Sequence, residues 1–255
     1  MTLIRTESLC ITVAHRPLCT NLDLEVLPGQ RWAVLGGNGS GKTTLLHTLA
    51  GLRAPAAGRI SVQDRDLALW DRNSLARILG ILFQDSQDTF PCSVLETVLT
   101  GRYPHLPFWA VESREDMERA RSVLAQVDLL EQAGRQVDTL SGGERRRLAI
   151  ATLLLQDPSV WLLDEPTNHL DLRHQVSLLN LLLRRAGAAG GMVMALHDVN
   201  LALRYCSHAL LIVNHDDLVA GPVTKVVEPG TLERLYRHPI GRMQDASGRL
   251  LYYPE

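Results

Sequence analysis

The chain has 255 residues, enough to bury a full core as one large domain or as one domain with an inserted lobe. With 26 basic and 28 acidic residues the formal net charge is −2, so no global field would recruit nucleic acid or an anionic membrane. No run approaches about 18 apolar residues, and the first residues lack a signal peptide's apolar stretch, so we expect a soluble chain that does not span a membrane.

The four cysteines lack the spacing of a metal site and are expected to be reduced. The N-terminal part of the chain predicts an antiparallel edge sheet. Residues 3–13 and 22–26 alternate well enough between apolar and polar positions to form two of its strands, and residues 59–63 predict a third. The run from Trp32 to Leu35 is continuously apolar, as expected of a buried strand.

A glycine-rich loop follows this buried strand. The segment from Gly36 to Thr43 fits G-x-x-x-x-G-K-[ST], a loop whose backbone N–H groups face phosphates. Residues 44–50 predict a helix whose N-terminal dipole favours an anion. A tight glycine turn with a surface lysine is the alternative, but the strand before it and the helix after it favour phosphate binding. The residues expected to hold the nucleotide are Gly36, Gly37, Asn38, Gly39, Ser40, Gly41, Lys42, Thr43 and Thr44.

The rest of the chain predicts strands and helices around a helical stretch. Residues 78–84 form a nearly continuous apolar run, typical of a parallel strand buried on both faces. From about Ser93 to Asp157 helical periodicity replaces the strand-like runs, and Ser113 predicts a helix N-cap. Strands and helices then alternate again, before a tail with one helix and two short strands at 232–253. The sequence therefore predicts an α/β fold with an antiparallel edge sheet and an inserted α-helical subdomain.

Two carboxylates, Asp164 and Glu165, follow the apolar run "VWLL" at the end of a predicted strand, the edge where ligands bind in open α/β sheets. Asp164 would hold the Mg²⁺ that bridges the β- and γ-phosphates, with the Thr43 hydroxyl as a further ligand. Glu165 would then be free to polarise a water for in-line attack. A GTPase or a small-molecule kinase would also have the glycine loop and one acid. The sequence lacks the guanine-reading motif N-K-x-D, and the acid pair suits attack by water better than transfer to a hydroxyl.

A second helix start rich in serine and glycine occurs in "LSGGE", before a long apolar-faced helix. Ser141 followed by Gly142 and Gly143 predicts a second phosphate-binding nest, because a simple helix cap would need the serine alone. This segment resembles the signature motif of the ABC ATPase family, and we use that name for it below. The chain resembles this family over almost its whole length. The resemblance implies that Ser141, Gly142, Gly143 and Glu144 contact ATP.

The resemblance also implies one ABC ATPase domain over 1–255 that hydrolyses ATP with Mg²⁺. Its P-loop, RecA-like core would comprise 1–88 and 158–255, and its helical subdomain about 89–157. Gln84 resembles the family's Q-loop residue, which would contact Mg²⁺ or the attacking water and couple the helical subdomain to hydrolysis. Residues 167–171, "TNHLD", resemble the D-loop, and His197 resembles the switch histidine. Without the resemblance, His197 would more often be a core histidine whose hydrogen bonds are satisfied, and Gln84 would indicate nothing about function.

Two positions depart from the family pattern. Many relatives have a tyrosine near residues 13–15 that stacks on adenine, whereas this chain has "VAHRP", so His15 or Arg16 would stack instead. Arg146 occupies a position after the signature motif where a glutamine is usual. The run of three arginines at 145–147 is expected to be a solvated charged stretch of the helix.

Resemblance to the family explains two phosphate nests on one chain. Two copies would face head to tail, with each ATP between Lys42 of one copy and Ser141 and Gly143 of the other. A free-standing cassette without membrane segments most resembles a subunit of a bacterial importer. "TGRYPHL" and "LHDVNLALRYCSH" resemble segments of the group that imports iron-siderophores, haem or cobalamin. An importer of free zinc or manganese remains an alternative.

The expected partners are integral-membrane permease subunits and, indirectly, a substrate-binding protein, which would place the chain at the cytoplasmic face of the inner membrane. A soluble ABC-type ATPase that acts as a mechanochemical switch on another complex is the alternative. Apolar residues in the helical stretch favour the permease, because a docking surface needs an apolar patch, although they could instead form the core of that lobe. These residues are Phe90, Tyr103, Leu106, Phe108 and Trp109.

Overall fold

The structure is a computed structural model that describes residues 1–14, 16–84, 91–107 and 109–255. The strands within these ranges are β1 (Ile4–Val13), β2 (Arg16–Val26), β3 (Arg31–Gly36), β4 (Ala57–Val62), β5 (Arg65–Asp66), β6 (Leu79–Leu82), β7 (Val160–Asp164), β8 (Gly191–Ala195), β9 (His208–Ile212), β10 (Leu218–Pro222), β11 (Ile240–Gln244) and β12 (Leu250–Pro254). The α-helices there are α1 (Lys42–Leu49), α2 (Arg72–Ile78), α3 (Val94–Leu99), α4 (Arg114–Gln126), α5 (Gly142–Gln156), α6 (Leu172–Ala186), α7 (Val199–Tyr205), α8 (Val223–Val226) and α9 (Pro229–Tyr236). Short 3₁₀ helices occur at Leu67–Leu69, Thr100–His105, Leu130–Gln132 and Val137–Thr139.

Strands β1, β2, β4 and β5 form an antiparallel sheet in the order β2-β1-β4-β5, which confirms the predicted edge sheet. β2 begins earlier than expected because shifts in its register against β1 interrupt the alternation of apolar and polar residues. Ser8 and Asn21 lie in these irregular stretches, with φ angles of 46° and 51°. The sequence pattern therefore identified the regular parts of the strands and missed the bulged part.

The central sheet has the strand order β10-β9-β3-β8-β7-β6, in which β3 pairs in parallel with β8 and with β9. All residues of β7 and β8 are buried, as expected from their apolar runs. β6 is shorter than predicted because Ile78 closes α2, a helix that the sequence pattern does not indicate and that Asp71 caps. β10, which pairs antiparallel with β9, also escapes prediction, because Gly221 and Pro222 weaken the strand signal.

Helices α3, α4 and α5 lie within residues 93–157, the stretch for which helical periodicity predicts helices. α3, α4 and α5 each begin with a capping box, in which a serine side chain accepts from the backbone three residues later and an acidic side chain accepts in return. The Ser113 N-cap of α4 is thereby confirmed. The tail contains the expected helix α9 and the hairpin β11-β12, and α9 starts at Pro229 because proline suits the first turn of a helix.

The described residues fall into two compact units. The first, here called the nucleotide unit, comprises residues Met1–Trp70, Leu162–Glu165 and Ala188–Glu255, and contains the antiparallel sheet and α1. The second, here called the helical unit, comprises Asp71–Trp161 and Pro166–Gly187, and contains α2 to α6. The four cysteines are free thiols. Across the described part of the chain, the helices are too short or too polar to cross a membrane.

Candidate active site

The glycine loop connects β3 to α1, and its shape depends on two glycines. A Cβ on Gly36 would lie 2.4 Å from the Ser40 hydroxyl oxygen and 3.3 Å from the Ile212 carbonyl oxygen. Gly41 is the N-cap of α1 with a left-handed φ of 97°, and a Cβ there would lie 2.9 Å from a Leu18 methyl carbon. Any larger residue at these two positions would therefore force the loop or its neighbours to move.

Lys42, the first residue of α1, is buried inside this loop with only 6% of its surface exposed. Its ammonium group donates to the carbonyl oxygens of Gly36 at 2.8 Å and Gly37 at 3.2 Å. Burial lowers the Lys42 pKa, and the nearby Glu165 and Asp164 carboxylates oppose that shift. A cation held among neutral carbonyls beside a helix N-terminus is a setting that a phosphate would stabilise.

The Ser40 hydroxyl supports the same conclusion. Its oxygen is buried and has no hydrogen-bond partner within the residues that the structure describes. A buried polar atom without a partner is costly unless water or a ligand satisfies it. The loop therefore offers a buried cation, a hydroxyl and the first N–H groups of α1 to an anionic ligand, which is the donor set that the phosphates of ATP require.

Two carboxylates and an imidazole meet at the end of β7. Asp164 closes the strand and is fully buried, and Glu165 follows it with a left-handed φ of 48°. The Glu165 N–H donates to the Ala195 carbonyl at 3.1 Å, which fixes the end of β7 beside the end of β8. His197, two residues beyond β8, places Nε2 2.5 Å from Glu165 Oε1. A strained backbone and a short hydrogen bond together hold one carboxylate oxygen in place, as a site for proton transfer requires.

The "LSGGE" motif forms the start of α5 in the helical unit. Ser141 is the N-cap: its hydroxyl oxygen accepts from Glu144 N at 3.3 Å, while a Glu144 carboxylate oxygen accepts from Ser141 N at 2.8 Å. The hydrogen bonds that the Ser141 N–H and the Ser141 hydroxyl donate to the Glu144 carboxylate lower the Glu144 pKa. A Cβ on Gly143 would lie 3.0 Å from the His169 carbonyl oxygen, so glycine permits a close approach of the backbone there.

The structure places the predicted site residues in two groups. The nucleotide unit brings together the residues from Gly36 to Thr44 with Asp164, Glu165 and His197. The helical unit holds Ser141–Glu144 and also Gln84, which is the second residue after β6 and has an exposed side chain. His15 lies outside the described residues, while Arg16, the other residue considered for adenine stacking, is exposed at the start of β2.

The expectation of a solvated arginine run is wrong for its middle residue. Arg146 is buried, with 5% of its surface exposed, and its guanidinium donates to backbone carbonyls of the helical unit. Sequence periodicity could have indicated this, because Arg146 lies four residues before the buried Ile150 on one face of α5. Among the apolar residues predicted to be exposed, Tyr103 and Trp109 are exposed and Leu106 is half-buried, while Phe90 and Phe108 lie outside the described residues.

A model of the ABC transporter family matches residues 19–168, which include the glycine loop, the signature motif and both carboxylates. The chain belongs to the ABC transporter family. It is therefore an ATP-binding subunit that hydrolyses ATP, and the predicted P-loop ATPase core is confirmed.

Relatives of this ABC ATPase include subunits of known import systems. The ferric enterobactin transport ATP-binding protein FepC of Escherichia coli is 36% identical over 91% of this chain and 86% of its own length. The hemin import ATP-binding protein HmuV of Streptomyces coelicolor is 37% identical over 90% of this chain and 81% of its own length.

Solved structures share the fold. A metal-chelate type ABC transporter in an inward-facing conformation aligns with a TM-score of 0.85 and 27% identity, covering 100% of this chain and 98% of that one. A nucleotide-free ATP-binding cassette from an ABC transporter, 22% identical, aligns with a TM-score of 0.78 over 92% of this chain and 98% of its own. The second likeness supports the fold alone.

Proposed function

We propose that this ABC ATPase powers the import of a metal chelate, of the iron-siderophore, haem or cobalamin class, through a membrane permease. The observation that supports its catalytic part is the constellation at the end of β7: buried Asp164, the Glu165–His197 hydrogen bond of 2.5 Å, and Lys42 inside the glycine loop of the same unit. The transport of ferric enterobactin and hemin by its relatives supports the substrate class.

The glycine loop would hold the phosphates of ATP. Lys42 neutralises negative charge on the β- and γ-phosphates, and the Ser40 hydroxyl and the first N–H groups of α1 donate to phosphate oxygens. Asp164 and Thr43 would hold Mg²⁺ through the oxygen atoms that this ion prefers, and the ion would offset negative charge on the phosphates.

The chemical step would depend on Glu165. Its carboxylate accepts a proton from the attacking water, and the hydrogen bond from His197 keeps the carboxylate oriented while the water lines up with the γ-phosphate. Gln84 would contact the water or Mg²⁺ and would move with the helical subdomain. For this subdomain we keep the predicted bounds of about 89–157, with the core at 1–88 and 158–255. His15 or Arg16 would stack on adenine.

The signature motif would act on a second copy of the chain. Ser141 to Glu144 would contact ATP held by the partner copy's glycine loop, so that each ATP lies at an interface. The permease would anchor this dimer at the cytoplasmic face of the inner membrane, and a substrate-binding protein would deliver the chelate from the other side. The exposed Tyr103 and Trp109 of the helical unit supply apolar surface for the permease.

The substitution Glu165→Gln tests the catalytic assignment. It removes the proton acceptor and leaves the shape, so MgATP hydrolysis should fall by about 10²–10⁴-fold while ATP binding persists. Glu115→Gln, a surface change on α4, serves as the matched control and should hydrolyse ATP normally. Wild-type turnover by Glu165→Gln would remove the assignment. Uptake of labelled ferric siderophore, haem or cobalamin by vesicles with the co-purified permease tests the substrate class, and uptake of free zinc alone would contradict it.

A further inference from the structure

Arg146 makes an unusual set of contacts for an arginine on a helix that starts at the surface. It lies in the second turn of α5, five residues after Ser141, and is 95% buried. Its Nη1 donates to the Phe83 carbonyl and, at 3.3 Å, to the Gln84 carbonyl. Its Nε donates to the Pro166 carbonyl at 3.4 Å. One guanidinium thus reaches two separate backbone segments of the helical unit.

Both segments follow strands of the central sheet and contain or adjoin a predicted site residue. Phe83 and Gln84 are the first two residues after β6, and Pro166 is bonded to Glu165 at the end of β7. Arginine suits this position because its planar group presents five N–H donors in a fixed arrangement, whereas a glutamine amide has only two. A buried guanidinium also needs all its acceptors, so displacing either segment is unfavourable.

The arginines on either side of Arg146 hold other parts of the unit. Arg145 donates to the Asp138 carbonyl at 2.7 Å, just before α5. Arg147 donates to the Val127 carbonyl at 2.8 Å and to the Asp128 carbonyl at 3.1 Å, at the end of α4. Consecutive residues on one helix therefore make the same kind of bond to different segments. A comparison of their variants can separate the general effect of losing such a bond from the effect of releasing one particular segment.

We propose that Arg146 is a positioning residue on α5, here called the signature helix: it fixes to this helix the backbone after β6, which contains Gln84, and the backbone after β7, which begins at the residue bonded to Glu165. The proposal rests on the proposed roles of those two residues in ATP hydrolysis. It goes beyond them because it makes one side chain of the signature helix responsible for the alignment of both.

The test compares Arg146→Met with Arg147→Met in the full-length chain. Each variant keeps an unbranched stem about as long as the arginine methylene chain and loses the guanidinium bonds to backbone carbonyls. Since misplacement of about 1 Å can lower a rate by about 100-fold, we expect Arg146→Met to lower kcat for MgATP by at least about tenfold with the KM for ATP within about twofold of wild type. Arg147→Met should retain wild-type kcat. Arg146→Lys, which keeps the charge and should fold if the Met variant does not, should recover part of the loss.

Hydrogen–deuterium exchange provides a readout that does not depend on hydrolysis. Arg146→Met should speed exchange in peptides covering residues 79–84 and 166–171 together, whereas Arg147→Met should speed it only around 127–128. A wild-type kcat in both Arg146 variants, equal losses in Arg146→Met and Arg147→Met, or faster exchange in only one of the two segments would each overturn the proposal. If the wild-type chain hydrolyses no ATP, the proposed function fails, and the exchange comparison still decides whether Arg146 links the segments.

Discussion

Helices α1 and α5 both begin beside glycines, but the structure satisfies their first N–H groups in opposite ways. At α1 the N-cap is Gly41, and within the described residues no side chain caps the helix. At α5 the Ser141 and Glu144 side chains cap the helix reciprocally. The start of α1 is thus left open for a ligand, whereas at the start of α5 the N–H groups of Ser141 and Glu144 already have side-chain acceptors.

This difference has a consequence for how the two motifs would bind ATP. The glycine loop has its cation, Lys42, buried in place, so little rearrangement is needed for phosphate to bind. The Ser141 hydroxyl donates to the Glu144 carboxylate at 2.7 Å, and a phosphate would have to compete with this bond. We therefore expect the glycine loop to determine the affinity for ATP, and the signature motif to contribute only once a partner presents the nucleotide.

The largest expected effect comes from substitutions that remove the expected contact with ATP at the start of α1 or of α5. Lys42→Ala removes the phosphate cation and should lose ATP binding and at least about 100-fold in hydrolysis. Ser141→Arg places a bulky charge at the signature motif and should also abolish hydrolysis, yet ATP binding to the isolated chain should persist. Equilibrium ATP binding and steady-state hydrolysis distinguish the two, and equal loss of binding in both variants would contradict the comparison.

Mixing these two inactive variants sharpens the result. A mixed dimer retains one site built from an intact Lys42 and an intact Ser141, while its other site carries both changes. Mixing should restore part of the ATPase activity if one intact site can turn over. No recovery, together with no ATP-dependent dimer of the Glu165→Gln variant even when permease is present, would contradict the shared site.

A smaller effect is expected from adding one methyl group at each helix start. Gly41→Ala forces a left-handed φ of 97° on alanine and places its Cβ 2.9 Å from Leu18, so it should cost about 1–3 kcal/mol of unfolding free energy. Gly142→Ala places its Cβ no closer than 3.9 Å to His169 and should change stability by less than about 0.5 kcal/mol. Urea unfolding of both variants measures the difference, and similar midpoints would show that the loop is less constrained than its geometry indicates.

The smallest effect concerns the capping box of α5. Glu144→Ala should cost about 1 kcal/mol at neutral pH, while Glu144→Gln, which can still accept from Ser141 N, should cost less. Because the hydrogen bonds from Ser141 lower the Glu144 pKa below its usual 4.5, the stabilisation is complete above pH 4.5 and is lost as the pH falls through the lower folded-state pKa. Urea unfolding between pH 3 and 7 should show the wild type converging on Glu144→Ala in acid, and a constant gap would contradict this linkage.

Sequence reasoning was most reliable where one local rule decides the structure. The glycine loop follows from a fixed spacing of glycines and lysine, and β7 and β8 follow from apolar runs that only a doubly covered strand can bury. A serine followed by acidic residues in the first turn predicted the Ser113 cap for the same reason. These features depend on neighbours in sequence, which the sequence displays directly.

Features that depend on distant partners escaped prediction. The spacing of Arg146 from Ile150 indicates a buried face of α5, but the carbonyls that Arg146 contacts lie more than sixty positions earlier and twenty positions later, and the sequence of α5 does not show them. The bond between His197 and Glu165 joins residues 32 positions apart, and no periodicity shows it. The resemblance to a family identified His197 as a site residue, but the bond itself was not predicted. β10 forms because it pairs with β9, although Gly221 and Pro222 disfavour a strand.

The chain has four tryptophans, and their environments differ sharply. Trp161 and Trp32 are buried and Trp70 is half-buried, whereas Trp109 in the helical unit is 89% exposed. An indole in water fluoresces at longer wavelength than one in an apolar setting and is quenched by solutes such as iodide. Trp109 is therefore a built-in optical reporter: iodide should quench it selectively, and a membrane permease that covers it should shift its emission to the blue and protect it, without any attached dye.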